Sequence, residues 1–150
     1  MLFKTHLAFG FLLGLFAIEF LKPGNQLLFM TIVLLSSIFP DIDHPDSKIG
    51  SKAKIFSFLF EHRGFFHSLL FLALVYVVSI LFIKNIYFIL PLFIGYGSHL
   101  FIDCFNQAGI MPLHPLSRFR IKGFIKTGAL LETILFFVLI AVDIWKLLNF

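Results

Sequence analysis

Five long apolar stretches, separated by short polar segments, dominate the pattern along the chain. They cover approximately residues 7–21, 27–39, 65–83, 86–105 and 128–146. A membrane-spanning helix needs about 20 apolar residues, with a range of roughly 17–25. The last three stretches meet this length, whereas the first two need flanking residues, tilt or local thinning of the bilayer. The pattern predicts an all-α polytopic membrane protein of about five transmembrane helices, forming one domain over residues 1–150.

The first two stretches are expected to form one helical hairpin. Residues 22–26, Lys-Pro-Gly-Asn-Gln, lie between them, and Pro and Gly interrupt helices and favour turns. A cleaved signal peptide is the alternative interpretation of residues 1–21. Glu19 interrupts the apolar run, however, and no small-residue cleavage site follows it, so we expect the segment to stay as a helix.

The composition agrees with a membrane protein and excludes several other classes. Hydrophobic residues make up 59% of the 150 residues and charged residues 13%, against about 45–50% and about 25% in soluble domains. Such an apolar chain is not intrinsically disordered. Its one cysteine, Cys104, excludes a scaffold of internal disulfide bonds.

The basic residues predict the orientation in the membrane. With five spans, nine lysines and arginines fall on the side of the N-terminus and the two long loops, and three fall on the other side. By the positive-inside rule the majority side is cytoplasmic. We therefore attribute the formal charge of +4 to residues that set the orientation in the membrane. We expect a multi-pass protein of the inner (cytoplasmic) membrane. It is expected to contact lipids and not to bind nucleic acid directly. The sequence is also compatible with a homo-oligomer.

The histidines and several carboxylates gather at the predicted cytoplasmic ends of the apolar stretches. Ionisable groups in or near a bilayer are costly and usually serve a function. His99 and Asp103 are four residues apart, so they project from one helix face, and His67 lies within an apolar run. Asp41 and Asp43, two apart in a predicted extended segment, would point the same way. Imidazole and carboxylate together indicate a metal site, with one or two divalent ions, Zn²⁺ first and Mn²⁺ or iron as alternatives. Sites with two metals commonly hydrolyse phosphoesters.

Four motifs carry a resemblance to a known family. They are Thr5-His6, residues 39–45 (Phe-Pro-Asp-Ile-Asp-His-Pro), residues 62–68 (His-Arg-Gly-Phe-Phe-His-Ser), and residues 95–103 (Gly-Tyr-Gly-Ser-His-Leu-Phe-Ile-Asp) followed by Gly109 and Pro115. In this order they resemble the YdjM family of bacterial and archaeal membrane-bound metal-dependent hydrolases, over roughly His6 to Ser117.

The resemblance implies an inner-membrane, metal-dependent hydrolase with a distant likeness to zinc-dependent phospholipase C. The family's name also carries an association with the repressor LexA, which would be a binding role. Two positions depart from the family's pattern, and both are expected to change the hydrogen bonding around the site. Phe66 stands where Thr commonly precedes the second histidine of the third motif, and Asn106 stands near where Thr often follows Asp103.

These observations give one main hypothesis for the function: hydrolysis of a phosphoester in a lipid or isoprenoid headgroup at the cytoplasmic face. The predicted metal ligands are His6, Asp43, His44, His67, His99 and Asp103. Asp41 or His62 is expected to act as a base or to orient a ligand, and Arg63 to hold phosphate through its planar guanidinium.

Two other functions are alternatives. The first is a non-catalytic, metal-stabilised membrane scaffold that binds a regulatory partner through its basic loops. The second is a small transporter that uses the intramembrane residues Glu19, Glu132 and Asp143.

Overall fold

Five α-helices make up most of the structure, a computed structural model that describes residues 1–43 and 64–150, with only the backbone described for Ile42 and Asp43. The helices are α1 (Phe3–Leu21), α2 (Gln26–Ile38), α3 (Leu69–Phe82), α4 (Ile86–Asp103) and α5 (Leu130–Leu148). Short 3-10 turns lie at Phe39–Asp43 and Phe65–His67. The described residues form no strands beyond isolated bridges, so the all-α prediction is confirmed for this part of the chain.

The predicted helical hairpin is formed by α1 and α2. Lys22 ends α1 in the left-handed conformation, with its backbone N–H bonded to the carbonyl of Ile18. Asn25 then caps α2, because its side-chain oxygen accepts a hydrogen bond from Leu28 N at 2.9 Å. The two helices pack against each other along their length.

The third apolar stretch gives a shorter helix than its sequence predicts. Its first residues form the 3-10 turn, and α3 begins only at Leu69, where Ser68 Oγ accepts from Phe71 N at 3.0 Å. At 1.5 Å per residue, the 13 residues of α2 and the 14 of α3 are about 20 and 21 Å long. Both are shorter than a hydrocarbon core of about 30 Å. Length and composition identify α1 and α4 as membrane-spanning candidates.

Apolar side chains cover the outside of the helices, while polar side chains lie inside. Phe20 is 81% exposed, Leu27 80% and Phe82 82%. Soluble proteins rarely expose large apolar surfaces of this kind. In contrast, His6, His99 and other ionisable residues are completely buried. This inverted distribution fits a surface that faces lipid.

The backbones of α2 and α4 approach each other closely at Gly95, about one helical turn before His99. A Cβ added to Gly95 would lie 2.1 Å from the carbonyl oxygen of Val33, so glycine permits this packing. Ser36 Oγ lies 3.0 Å from Val33 O and 3.3 Å from Pro91 O across the same contact. The α2–α4 pair is thus held at a separation that only a glycine at position 95 allows.

Candidate metal centre

Four buried ligand atoms converge at one end of the helices. They are Nε2 of His67, Nε2 of His99, Oδ1 of Asp41 and Oδ2 of Asp103. The two nitrogens are 3.1 Å apart. Asp41 Oδ1 lies 4.0 Å from His67 Nε2 and 3.8 Å from His99 Nε2. Asp103 Oδ2 lies 3.7 Å and 3.8 Å from the same two nitrogens. Side chains from three separate segments of the chain therefore meet at one point.

These separations fit a metal ion shared by Asp41, His67 and His99, with Asp103 close to both nitrogens. Bonds of about 2.0–2.1 Å to nitrogen and oxygen place tetrahedral ligand atoms about 3.3 Å apart. The distances of 3.1 Å between the nitrogens and 3.7–4.0 Å from nitrogen to oxygen lie on either side of this value. Side-chain shifts of a few tenths of an ångström would complete the coordination. The group of Asp41, His67 and His99 could therefore hold a metal ion.

The ring of His99 is oriented by the backbone of α2. Its Nδ1 lies 2.8 Å from the carbonyl oxygen of Ser37. A carbonyl can only accept, so Nδ1 carries the proton and donates it. The lone pair is then on Nε2, which faces His67 and the two carboxylates. A backbone carbonyl that holds the far nitrogen is the usual support of a histidine ligand.

His67 is placed by the 3-10 turn that shortens α3. Its backbone N–H bonds to Gly64 O at 3.1 Å, and the turn directs the side chain into the cluster. The neighbouring carbonyl of Phe66 accepts a hydrogen bond from the hydroxyl of Tyr96 on α4. Tyr96 is 1% exposed, so it ties the turn to the helix that carries His99.

His6 and Asp103 define a second group of ligand atoms beside the first. His6 Nε2 lies 3.5 Å from Asp103 Oδ1, and the groups His6, His99 and Asp103 together could hold a metal ion. His6 is fully buried, yet neither of its ring nitrogens makes a hydrogen bond within residues 1–43 and 64–150. The α-ammonium group of Met1 lies 2.6 Å from Asp103 Oδ1. A metal ion bound to this oxygen would therefore have to displace the ammonium group.

Glu132 of α5 holds the start of α1 in place. Its carboxylate is fully buried and accepts hydrogen bonds from Leu2 N, from Thr5 Oγ1 at 3.1 Å and from Gly128 N at 2.6 Å. The N–H groups at a helix start have no partner within the helix. Glu132 therefore fixes the start of α1 about one turn from His6. The sequence singled out Glu132 without indicating this role.

Comparison with known proteins agrees with the resemblance in the motifs. The family of "YdjM inner membrane protein" matches residues 1–149. The chain belongs to the YdjM family of inner membrane proteins. It is 30% identical to the inner membrane protein YdjM of Escherichia coli (strain K12) over 159 aligned positions, covering 95% of this chain and 80% of the relative. The same figures hold for YdjM of Shigella flexneri. YvsG of Bacillus subtilis (strain 168) is 33% identical over 134 residues, covering 86% of this chain and 83% of that protein. No solved structure matches the chain significantly.

Membership of the YdjM family makes this a membrane protein, and the structure places many of the predicted site residues. His6, Asp41, His67, His99 and Asp103 come together at one end of the helices. Asp41, which is expected to act as a base or to orient a ligand, has its Oδ1 among the ligand atoms, and its role stays a prediction. The side chain of Asp43, together with His44, His62 and Arg63, lies outside the described residues, so their roles stay predictions.

The two departures from the family's pattern have structural roles outside the cluster. The ring of Phe66 packs edge-on against Phe65 and Phe71, with centroids 5.8 and 4.9 Å away. Asn106 is 1% exposed and holds the loop after α4, since its side chain donates to Thr127 Oγ1 at 2.7 Å and accepts from Ala108 N at 2.9 Å.

Cys104 directly follows Asp103 but takes no part in the cluster. Its thiol donates to the carbonyl of Leu100 at 3.3 Å. Burial, and next the Asp103 carboxylate, raise the pKa of the Cys104 thiol. Less thiolate is then present, and thiolate is the form that binds metals and reacts.

The polar residues of the transporter alternative are far apart. Glu132 lies near the candidate metal centre, and Asp143 is eleven residues further along α5, about 16 Å away. Glu19 accepts a hydrogen bond from the buried Lys146 near the opposite end of α1. These three carboxylates therefore do not form one continuous polar path.

Proposed function

We propose that this protein is a metal-dependent hydrolase that cleaves a phosphoester in the headgroup of a membrane lipid or isoprenoid. One observation carries the proposal: the buried ligand atoms of Asp41, His67 and His99 lie close enough together to hold a metal ion, and Asp103 Oδ2 lies 3.7 Å from His67 Nε2. Two nitrogen and two oxygen ligands suit Zn²⁺, and Mn²⁺ or iron also accept them.

Asp103 supports a site with two ions. Its Oδ2 faces His67 and His99, while its Oδ1 faces His6, so one carboxylate serves both groups of ligand atoms. A carboxylate between two cations is common where phosphoesters are hydrolysed. The second group has fewer ligands among the described residues, and we assign Asp43, His44 and His62 as the candidates to complete it.

A bound divalent cation would polarise a phosphoryl oxygen and make water more acidic. The residues of the chain orient the ligands and take up protons. Ser37 O keeps the proton of His99 on Nδ1, and the turn at Phe65–His67 aims His67 at the same point. Asp41 has one oxygen among the ligand atoms, and we propose its other oxygen, or His62, as the proton acceptor. Arg63 is the proposed phosphate contact.

We also propose that all five helices cross the inner membrane with the metal centre at the cytoplasmic side. The ends of α2 and α4 and the starts of α1, α3 and α5 lie at the end of the fold that carries His6, His99 and Asp103. The loops that follow α2 and α4 leave from this same end, and the sequence has nine of the twelve basic residues in the N-terminus and these two loops. The substrate's phosphate would then approach from the cytoplasmic leaflet.

The experiment combines metal content with hydrolysis. The purified full chain is expected to hold one or two equivalents of a divalent transition metal. It should hydrolyse bis(4-nitrophenyl) phosphate, a chelator should abolish the activity, and Zn²⁺ should restore it. Asp41→Asn and Asp103→Asn should each lower the rate at least 100-fold, since each removes an anionic ligand.

Asp143→Asn is the matched control, because it makes the same substitution on α5 about 16 Å along the helix from Glu132. It should retain both metal and activity. Metal binding without any turnover would favour the scaffold alternative. Protein that takes up no metal, with Asp103→Asn unchanged from wild type, would overturn the proposed site as well as the activity.

A further inference from the structure

An apolar groove of about 320 Å³ runs beside the candidate metal centre, between α2, α3 and α4. Its walls include Ile32, Phe39, Phe71, Val75, Leu92 and Tyr96. Ser36 is also in the wall, but its hydroxyl donates back to the carbonyl of Ile32 at 2.7 Å. The groove therefore presents a hydrocarbon surface to whatever occupies it.

One end of the groove is lined by residues that lie close in the chain to the ligand residues. Phe39 is two residues before Asp41, Phe71 is one helical turn after His67, and Tyr96 is one turn before His99. The other end, at Leu92, lies about 10 Å from His99 along α4. A molecule with its polar head at the metal centre would thus extend its tail along the groove, toward the middle of the bilayer.

The surroundings of the groove indicate what fills it. Its rim includes Leu35, 62% exposed, and Phe39, 42% exposed, which belong to the apolar outer surface of the helices. In a membrane protein this surface contacts acyl chains, and water is scarce at that depth. The groove is continuous with this surface, so hydrocarbon from the bilayer can enter it from the side.

The size of the groove limits the occupant. Its volume lies near the lower end of the range for ligand pockets, about 300–1,000 Å³. This leaves room for one chain and not for two side by side. We propose that the groove binds a single alkyl or isoprenoid chain of a phosphate-bearing membrane amphiphile and so positions its headgroup at the metal centre. The inference rests on the proposed function and names the part of the substrate that the protein recognises.

Chain-length dependence of hydrolysis tests the groove. The probes are the ethyl and octyl diesters of 4-nitrophenyl phosphate, used with the full chain. Each methylene that enters an apolar groove contributes at most about fourfold, so kcat/KM for the octyl diester should exceed that for the ethyl diester at least tenfold. Val75→Trp, which fills the groove, should bring this ratio to about one, because kcat/KM for the octyl diester falls much more than kcat/KM for the ethyl diester.

Val78→Trp is the matched control, because Val78 lies on the same helix, is 44% exposed and is not part of the groove wall. It should keep the wild-type ratio. Equal ratios in wild type and both variants would overturn the proposal, even if all three hydrolyse the ethyl diester.

A second measurement does not depend on turnover. Dodecyl phosphate with a diazirine in its chain is irradiated with the protein in nanodiscs, and the labelled residues are mapped. Labels concentrated at Leu92, Val75 and Ile32, lost in Val75→Trp and kept in Val78→Trp, support the groove even where hydrolysis is absent and the proposed function fails. Labels spread evenly over the outer surface overturn it.

The chain itself contains another candidate occupant. Residues 55–60, Ile-Phe-Ser-Phe-Leu-Phe, are apolar except for Ser57 and lie outside the described residues. If Val75→Cys and Phe58→Cys form a disulfide bond in high yield, and the groove takes no label, then this segment fills the groove and the proposal is wrong.

Discussion

The rings of His6 and His99 stack face to face, with centroids 3.8 Å apart and planes within 9° of parallel. They come from α1 and α4, so the stack joins the two membrane-spanning candidates at the candidate metal centre. Both residues are fully buried. The stack holds His6 Nε2 beside Asp103 Oδ1 while His99 Nε2 faces His67. The two groups of ligand atoms are therefore adjacent but separable by mutation.

Metal stoichiometry should distinguish the two groups. His6→Ala removes a ligand of the second group only, so the protein should lose one of two equivalents of metal. Asp103→Asn affects both groups, because its two oxygens face different histidines, and should lose most of both. Metal analysis of the purified proteins measures this, with Asp143→Asn as the control. Equal metal content in His6→Ala and wild type would exclude a second ion at His6.

Gly95→Ala should destabilise the protein and weaken metal binding together. The new Cβ would lie 2.1 Å from Val33 O, a backbone atom that cannot turn away, and overpacking of this kind typically costs about 1–3 kcal/mol. Moving α2 from α4 would also stretch the hydrogen bond between Ser37 O and His99 Nδ1. Unfolding in detergent and metal titration would measure the two effects.

Gly97→Ala is the control for this substitution, since a Cβ at position 97 has no atom within 4 Å. Alanine favours a helix over glycine by about 0.5–1 kcal/mol, so this variant should be as stable as wild type or more stable. Equal losses in both variants would mean that helix flexibility, and not the close packing at Gly95, matters.

Glu132→Gln should loosen the start of α1. In the wild type, Leu2 N and Gly128 N each donate to one oxygen of the Glu132 carboxylate. The glutamine amide has only one acceptor oxygen, and its N–H₂ group would face one of these two donors. A buried donor left without a partner costs about 1–3 kcal/mol, and His6 lies one turn away. We expect a lower free energy of unfolding and weaker binding of the second metal equivalent.

Glu19→Gln provides the comparison at the far end of α1, where Glu19 pairs with Lys146. It should affect stability without changing metal affinity. If Glu132→Gln leaves both stability and metal content at wild-type values, the anchoring role is excluded.

Cysteine labelling should place the two ends of the fold on opposite sides of the membrane. In a Cys104→Ala background, Leu116→Cys, at a position 81% exposed in the loop after α4, should label only from the cytoplasm. Asn25→Cys, in the turn between α1 and α2, should label with a membrane-impermeant maleimide from outside. Labelling of both positions from the same side would contradict five crossings.

The sequence predicted the helices well because their main determinant is local. Runs of apolar residues, broken at Lys22, Asn25 and Asn85, gave five helices close to those observed. The exception is α3, which begins at Leu69 instead of near Phe65. Its start depends on a hydrogen bond from Phe71 N to Ser68 Oγ, and apolar periodicity does not reveal such a cap.

The kinds of residue in the site also follow from the sequence, because buried histidines and carboxylates in an apolar chain are costly without a function. Which atoms meet was decided by the tertiary structure. Three contacts join residues 26 to 130 positions apart: the Ser37 carbonyl with His99, Glu132 with the start of α1, and Asp41 with His67. The local sequence pattern does not give the distances between atoms of different helices, because these depend on how closely the helices pack. At Gly95 that packing depends on the absence of a single Cβ.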